Sequence, residues 1–141
     1  MATLEDISCD IKAAYADYRQ RWYGGVPPVP AATLQIALGA TTSGYVASED
    51  KIYIFVGDGD VTDWEFKRDM PEAAWRIELI HEMLHEHQHK LVQTPSIAGR
   101  ALFAKRPGAF SGNGHDERFY TAISDIAPKF GMTPEDFLDF V

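Results

Sequence analysis

The strongest chemical pattern in the chain is a five-residue segment near its middle, His81-Glu82-Met83-Leu84-His85. Residues four apart on a helix lie on one face, one turn apart, so both imidazoles can reach one ion at Zn–N distances of about 2.0–2.1 Å. Glu82 is rotated by about 100° from His81 and can stand beside the ion without binding it. The spacing therefore predicts zinc held by His81 and His85, with Glu82 as the general base.

A catalytic zinc site needs a third protein ligand and one open position. His115 and Glu117 are the candidates further along the chain. Because residues two apart on a helix point to nearly opposite sides, only one of them should reach the ion. Imidazole suits zinc, so we favour His115 and keep Glu117 as the alternative ligand. Weaker candidates for carboxylates that orient a ligand imidazole are Asp116, Glu78 and Asp125.

These residues together predict the hydrolysis of a peptide bond. Zinc lowers the pKa of its water to about 7 and polarises the carbonyl group. Glu82 can remove the proton of that water and pass it to the leaving amine. The oxyanion then needs a hydrogen-bond donor. The candidates for oxyanion or substrate contacts are Tyr120, Arg118, Tyr53 and Tyr45, and the sequence does not choose among them.

Helix signals surround the two parts of the predicted zinc site. Asp69 is a good N-cap and Pro71 suits a first turn, so a helix should run from about Pro71 to about Lys90. Asn113 can cap a further helix that would carry the third ligand. Between them, the segment 92–113 contains prolines and glycines and is expected to be a long loop or insertion, with a turn of helix near Ala101–Lys105 at most.

The remaining elements complete an α+β fold. An apolar stripe after Thr3 predicts an N-terminal helix that Gly24 stops. Three short apolar segments follow in series, the strongest being Ile52–Val56, and predict a three-stranded antiparallel meander. Pro128 and Gly131 should end the helix that follows His115, and a short C-terminal helix begins near Thr133.

Composition limits the kind of protein further. The 141 residues are 45% hydrophobic and suit a single domain, and the one cysteine, Cys9, excludes an intrachain disulfide. We expect a cytoplasmic protein, because no signal peptide or membrane-spanning run is evident. The net charge of -8 argues against nucleic acid as a partner of this domain alone. The oligomeric state is left open.

A locally basic segment allows a second hypothesis. No Asp or Glu occurs from His87 to His115, whereas Lys90, Arg100, Lys105 and Arg106 do. A solvated loop would explain this pattern, and so would a patch that receives an acidic partner. The alternative function is therefore a non-catalytic zinc-containing module that binds a partner through residues 90–106. A closed fourth ligand such as His89 or Glu117 would favour it, because structural zinc sites lack the open position.

The order of elements and two motifs resemble the SprT-like and WLM-type minimal zinc metallopeptidases. The HExxH segment is one motif, and Gly114-His115-Asp116-Glu117-Arg118-Phe119-Tyr120 is similar to the G-H-D-x-x-F segment of the WLM type. The resemblance implies a zincin-like fold, His115 as third zinc ligand and a protein or peptide substrate. Members of the group include proteases that digest proteins crosslinked to DNA. It also implies a substrate paired with an edge strand, for which Ile52–Val56 is our candidate.

Overall fold

The computed structural model describes most of the chain, namely residues 2–39, 42–57, 63–106, 110 and 114–141. Within these ranges, six α-helices, one 3-10 helix and a three-stranded sheet confirm the α+β class. Residue contacts divide the chain into two compact units, Met1–Glu82 and Met83–Val141. No helix in the described ranges is long and apolar enough to cross a membrane. The expectation of a single domain stays a prediction.

The first unit begins with helix α1, Leu4–Tyr23, whose limits agree with the sequence analysis. Thr3 and Asp6 cap its start reciprocally, because each side chain accepts the backbone N–H of the other at 3.1 and 3.0 Å. Gly24 ends the helix with a left-handed φ of 62°. The buried face of α1 carries the predicted apolar stripe, including Ile7, Ile11, Tyr15, Tyr18 and Trp22.

The sheet consists of strands β1 (Thr33–Leu38), β2 (Gly44–Val46) and β3 (Lys51–Val56) in the order β1-β3-β2. β2 pairs with β3 antiparallel, but β1 pairs with β3 parallel, so the predicted antiparallel meander is wrong for β1. Alternating apolar residues reveal which face of a strand is buried, but neither its direction nor its neighbour. On β3, the side chains of Ile52, Ile54 and Val56 are buried as predicted.

The position of β3 corrects a second expectation. Ile52–Val56 was our candidate for the edge strand beside a substrate, but β3 has a neighbour on each side and is the central strand. All of β3 pairs with β1, and its first three residues also pair with β2, so β3 is not a free edge for a substrate strand. The edges of this sheet are β1 and β2.

A short helix α2, Trp64–Lys67, precedes the helix that carries the HExxH segment. The latter, α3, spans Ala74–Leu91 and begins three residues later than predicted. The N–H of Met70 donates to the carbonyl of Lys67, and that of Ala73 donates to the carbonyl of Met70, at 3.1 Å each. These two turns occupy the chain between α2 and α3. The helix therefore starts after Ala73 and not at Pro71 with Asp69 as its cap.

The second unit contains a helix that the sequence analysis did not predict. Helix α4, Ile97–Lys105, lies within the segment 92–113, where we expected a loop with at most one turn of helix. Ser96 caps it by accepting the N–H of Gly99 at 3.0 Å. A Cβ atom added to Gly99 would come within 2.6 Å of the Cα atom of Thr121. Gly99 therefore allows close packing within a helix instead of breaking it. Residues 107–109 and 111–113 of the segment lie outside the described residues.

Helix α5, Glu117–Ile126, begins just after His115. Asp116 is its N-cap, because the Oδ1 atom of Asp116 accepts the N–H groups of Arg118 and Phe119 at 3.0 and 3.2 Å. The predicted cap, Asn113, lies outside the described residues. His115 therefore precedes the helix that we expected to carry it. A 3-10 helix over Ala127–Phe130, which the sequence did not predict, continues from α5. The stop at Gly131 and helix α6, Pro134–Phe140, follow as predicted.

Candidate metal centre

Three histidines form the only group of potential metal ligands found among the described residues. One ligand nitrogen from each of His81, His85 and His115 lies within 4.8 Å of the others, and each residue is partly exposed. His81 and His85 belong to the continuous helix α3, one turn apart, as the spacing predicts. His115 comes from the segment before α5. The three residues that the sequence predicted as metal ligands are therefore close enough to bind one ion.

The nitrogens of His85 and His115 face each other directly. Their Nε2 atoms are 3.1 Å apart. Two nitrogens bound to one tetrahedral ion at about 2.0–2.1 Å would lie about 3.3 Å apart, so the observed separation fits a shared ion closely. The rings are enclosed by aromatic neighbours, with Phe119 at 4.4 Å from His85 and Phe110 at 5.0 Å from His115 between ring centroids. The donor set is purely imidazole, which suits zinc and related transition metals.

Gln88 is the residue of this centre that the sequence analysis missed. Its Oε1 atom lies 3.0 Å from His85 Nδ1. Its Nε2 atom donates to the carbonyl oxygen of Gly114 at 3.1 Å and to Asp116 Oδ1 at 3.0 Å. The side chain is buried, with 7% of its surface exposed. The signal was present, since Gln88 is three residues after His85 on the same helix face, but we considered only carboxylates as orienting groups.

The predicted orienting carboxylates have other positions. Asp116 is joined to His85 by hydrogen bonds through Gln88, and it also caps α5. Asp125 Oδ2 lies 3.5 Å from Nε2 of His87, which is not one of the three ligands. The charge of Glu78 acts on Glu82, whose pKa it raises. Asp116 is connected to the ligand histidine His85, and that connection is indirect.

Glu82 follows His81 on α3 and is buried, with 7% of its surface exposed. Burial and then the charge of Glu78 raise the pKa of Glu82 to about 7, whereas a hydrogen bond from the backbone N–H of Tyr45 opposes the rise. A Cβ atom on Gly44 would lie 3.8 Å from Glu82 Oε2, so strand β2 passes close to this carboxylate. A carboxyl group with these surroundings can exchange a proton near neutral pH.

Burial also affects the imidazole of His85. Burial is the largest cause that lowers the pKa of His85, and the nearby His115 acts in the same direction. The hydrogen bond with Gln88 and the charge of Asp116 oppose the shift, and the resulting pKa is about 4. The ring is therefore neutral at pH 7. Neutral imidazole is the form that binds a metal ion.

The other candidate ligands are engaged elsewhere or exposed. The carboxylate of Glu117 lies 3.5 Å from the guanidinium of Arg100, and the group of ligand atoms within the described residues does not include it. His89 is exposed near the end of α3, and Cys9 is exposed on α1. Among the described residues, the candidate ligands of this centre therefore number three.

Tyr120 and Arg118, two of the predicted oxyanion or substrate contacts, use their polar groups in hydrogen bonds within the protein. Tyr120 is fully buried, and its hydroxyl donates to the carbonyl oxygen of Arg106 at 2.9 Å. The guanidinium of Arg118 donates to the carbonyl oxygens of Val92 and Gln88 at 2.8 and 3.2 Å. These bonds give both residues structural partners, so they lend no support to the predicted role of either one.

The hydroxyl groups of the other two candidates, Tyr45 and Tyr53 in the sheet, donate to carboxylates of the protein. The hydroxyl of Tyr45 donates to Asp50 Oδ1 at 3.0 Å, and that of Tyr53 donates to Glu49 Oε1 at 3.1 Å. The backbone of Tyr45, and not its phenol, is the part that contacts Glu82. A donor for an oxyanion is therefore not identified among the four predicted residues.

The basic segment 90–106 carries its positive charges in ion pairs. Lys90 pairs with Glu86 at 2.6 Å, and both side chains are largely buried. The other three pairs are more exposed: Arg100 with Glu117, Lys105 with Glu135, and Arg106 with Asp139. All four cations face a carboxylate that lies outside the segment or at its margin. The local charge is therefore balanced, and the predicted patch for an acidic partner gains no support from it.

Comparisons of the chain with protein-family models, with curated proteins and with solved structures give no match. The resemblance to SprT-like and WLM-type peptidases therefore stays a prediction.

Proposed function

We propose that this protein is a zinc-dependent peptidase in which His81, His85 and His115 hold the metal and Glu82 is the general base. The observation that carries the proposal is the convergence of the three imidazoles, two of which belong to the helix turn that also contains Glu82. Three protein ligands and a free position are typical of catalytic zinc, whereas structural sites have four protein ligands.

The metal and the carboxylate of Glu82 would have separate roles in peptide hydrolysis. Zinc would supply Lewis-acid polarisation of the substrate carbonyl and would bring the pKa of water to about 7. Glu82 would take a proton from that water and deliver it to the leaving amine, which avoids expelling an amide anion. Burial favours this role because a carboxylate that has lost most of its hydration accepts a proton more readily.

Strand β2 replaces β3 as our proposed docking edge for an extended substrate. It is an edge of the sheet, and its residue Tyr45 donates a backbone hydrogen bond to Glu82. A peptide added alongside β2 would therefore lie next to the general base, with its backbone held by main-chain hydrogen bonds. A protein or peptide substrate fits this arrangement better than a compact small molecule.

The test compares wild type with Glu82→Gln, and Glu86→Gln serves as a matched control. Both glutamates are buried on α3, one turn apart, but Glu86 pairs with Lys90. We expect Glu82→Gln to keep its zinc and to lose about 10²–10⁴-fold in hydrolysis of casein or a peptide library. Glu86→Gln should lose stability but retain its activity per folded molecule.

Two results would overturn the proposal. One is an unchanged rate of hydrolysis in Glu82→Gln. The other is wild-type protein that carries a full complement of zinc and cleaves none of the substrates, which would favour the non-catalytic zinc-containing module.

A further inference from the structure

We infer that Gln88 is the positioning residue of the metal centre, which fixes the proton of His85 with one end of its amide and holds the His115 segment with the other. The inference rests on the metal site of the proposed function. It adds a residue that neither the HExxH pattern nor the third histidine predicts.

The oxygen and nitrogen of the Gln88 amide can be assigned from its partners. On one side, the amide meets the carbonyl oxygen of Gly114 and the carboxylate of Asp116, at 3.1 and 3.0 Å. Both groups only accept hydrogen bonds. The NH₂ group must therefore lie on that side, because the opposite orientation would bring three oxygens together without a proton. The amide oxygen consequently faces His85.

This orientation fixes the tautomer of His85. The Oε1 atom of Gln88 can only accept a hydrogen bond, so the Nδ1 atom of His85, 3.0 Å away, must be the donor. In neutral imidazole the other nitrogen then carries the lone pair. That nitrogen, Nε2, is the one that lies 3.1 Å from Nε2 of His115. Gln88 thus prepares the metal-binding nitrogen of His85 before an ion arrives.

The other end of the amide restrains His115. The two acceptors of the Gln88 NH₂ group belong to Gly114 and Asp116, which are the residues on either side of His115. Gly114 has a positive φ of 87°, and a Cβ atom there would lie 3.5 Å from Cε1 of His85. One buried side chain therefore connects a ligand on helix α3 with both neighbours of a ligand that precedes helix α5.

Gln88 is itself held in place. It is 7% exposed, and its backbone carbonyl accepts a hydrogen bond from Arg118 at 3.2 Å. The same guanidinium donates to the carbonyl of Val92 at 2.8 Å, so Arg118 joins the end of α3 to the first turn of α5. This gives Arg118 a structural role in place of the predicted contact with substrate. A positioning group needs such support if it is to hold ligands in one geometry.

The experiment uses Gln88→Met, which keeps the size of the side chain and removes its hydrogen bonds, and Gln88→Glu, which keeps the acceptor and removes the donor. Thr121→Val is the matched control. Thr121 is buried in the same unit, and its hydroxyl also joins two segments: it accepts the N–H of Ser96 and donates to the carbonyl oxygen of Glu117. Neither of these hydrogen bonds involves a histidine.

Two quantities are measured at neutral pH. The first is the tautomer of His85 in the metal-free protein, from imidazole ¹⁵N chemical shifts. The second is the zinc affinity, from competition with a chelator. We expect the Nδ1–H tautomer in wild type and in Gln88→Glu, and a shift towards Nε2–H in Gln88→Met. Zinc affinity should fall by about 10–100-fold in both Gln88 variants and remain unchanged in Thr121→Val.

A wild-type His85 that carries its proton on Nε2 would overturn the inference without any variant being needed. So would a folded Gln88→Met protein with wild-type zinc affinity, or a Thr121→Val protein that loses affinity to the same extent. None of these results depends on hydrolysis. If zinc binds and Gln88 behaves as expected while no peptide is cleaved, the peptidase proposal fails and the positioning role of Gln88 stands.

Discussion

The Nε2 atoms of His85 and His115 lie 3.1 Å apart although thirty residues separate the two histidines in the chain. His85 is held by its helix, whereas His115 lies in a short segment between the positive φ of Gly114 and the helix cap at Asp116. The centre therefore depends on how α5 starts as much as on the HExxH helix. Different substitutions should separate these contributions.

Replacing His115 should release zinc, and replacing Glu117 should not. His115→Ala removes one of three nitrogens in the group, so its zinc affinity should fall by more than the roughly 10–100-fold that loss of an outer contact causes. Glu117→Ala removes only the ion pair with Arg100 and should bind zinc as wild type does. Chelator competition measures both affinities. If Glu117→Ala lost zinc more readily than His115→Ala, the choice of third ligand would be wrong.

Removing the cap of α5 should weaken zinc binding together with stability. Asp116→Ala deprives two backbone N–H groups and Gln88 of their acceptor. We expect a loss of about 0.5–2 kcal/mol in unfolding free energy, and a lower zinc affinity. Thr133→Ala removes the cap of α6 and should cost a similar stability with unchanged affinity. Urea unfolding and chelator titration test this pair, and equal zinc affinities in the two variants would refute the link.

Gly99→Ala should destabilise the protein even though alanine favours helices. The added Cβ atom would come within 2.6 Å of the backbone of Thr121, so the two helices α4 and α5 would have to separate. We expect a loss of about 1–3 kcal/mol from overpacking. The control is the exposed Ala104→Gly on the same helix, which should cost about 0.5–1 kcal/mol through backbone entropy. Thermal unfolding that places Gly99→Ala at or above wild type would disprove the close packing.

Asp10→Ala should destabilise the first unit. Asp10 accepts the indole N–H of the fully buried Trp64 at 2.7 Å and pairs with Arg68 at 2.9 Å. Leaving the indole N–H without its acceptor should cost about 1–3 kcal/mol of unfolding free energy. The exposed pair of Asp17 with Arg21, at 4.0 Å, makes Asp17→Ala the control, for which we expect at most about 1 kcal/mol. Equal losses in the two variants would count against the role of Asp10.

Local spacing in the sequence was sufficient to predict His81 and His85 as a pair and the helix that bears them. A four-residue interval on a helix is a geometric constraint that the sequence displays directly. The helix stop at Gly24 is equally local, and the structure confirms it. His115 was preferred to Glu117 because imidazole suits zinc and because of the family resemblance. Pairing between segments that are distant in the chain was harder to predict from the sequence. The parallel pairing of β1 with β3 depends on where the chain crosses the sheet, which alternation does not encode.

Helix α4 and Gln88 were missed for different physical reasons. The glycines and prolines of 92–113 indicated a loop, but Gly99 lies inside a helix because its lack of a Cβ atom permits close approach to Thr121. Gln88 was overlooked because carboxylates were the only orienting groups considered, although an amide can contact an imidazole and two oxygens at once. The place of Gly99 inside a helix and the role of Gln88 both depend on contacts with residues more than twenty positions away.

X-ray absorption spectroscopy of the zinc-loaded protein is the sharpest test of the three-histidine centre, because it reports the identity, number and distance of the ligands. We predict one zinc per chain with three imidazole nitrogens at about 2.0–2.1 Å and one further light atom from solvent. We also predict that one imidazole is lost in His115→Ala. A sulfur ligand from Cys9, fewer than three imidazoles, or protein that binds no zinc would contradict the three-histidine centre.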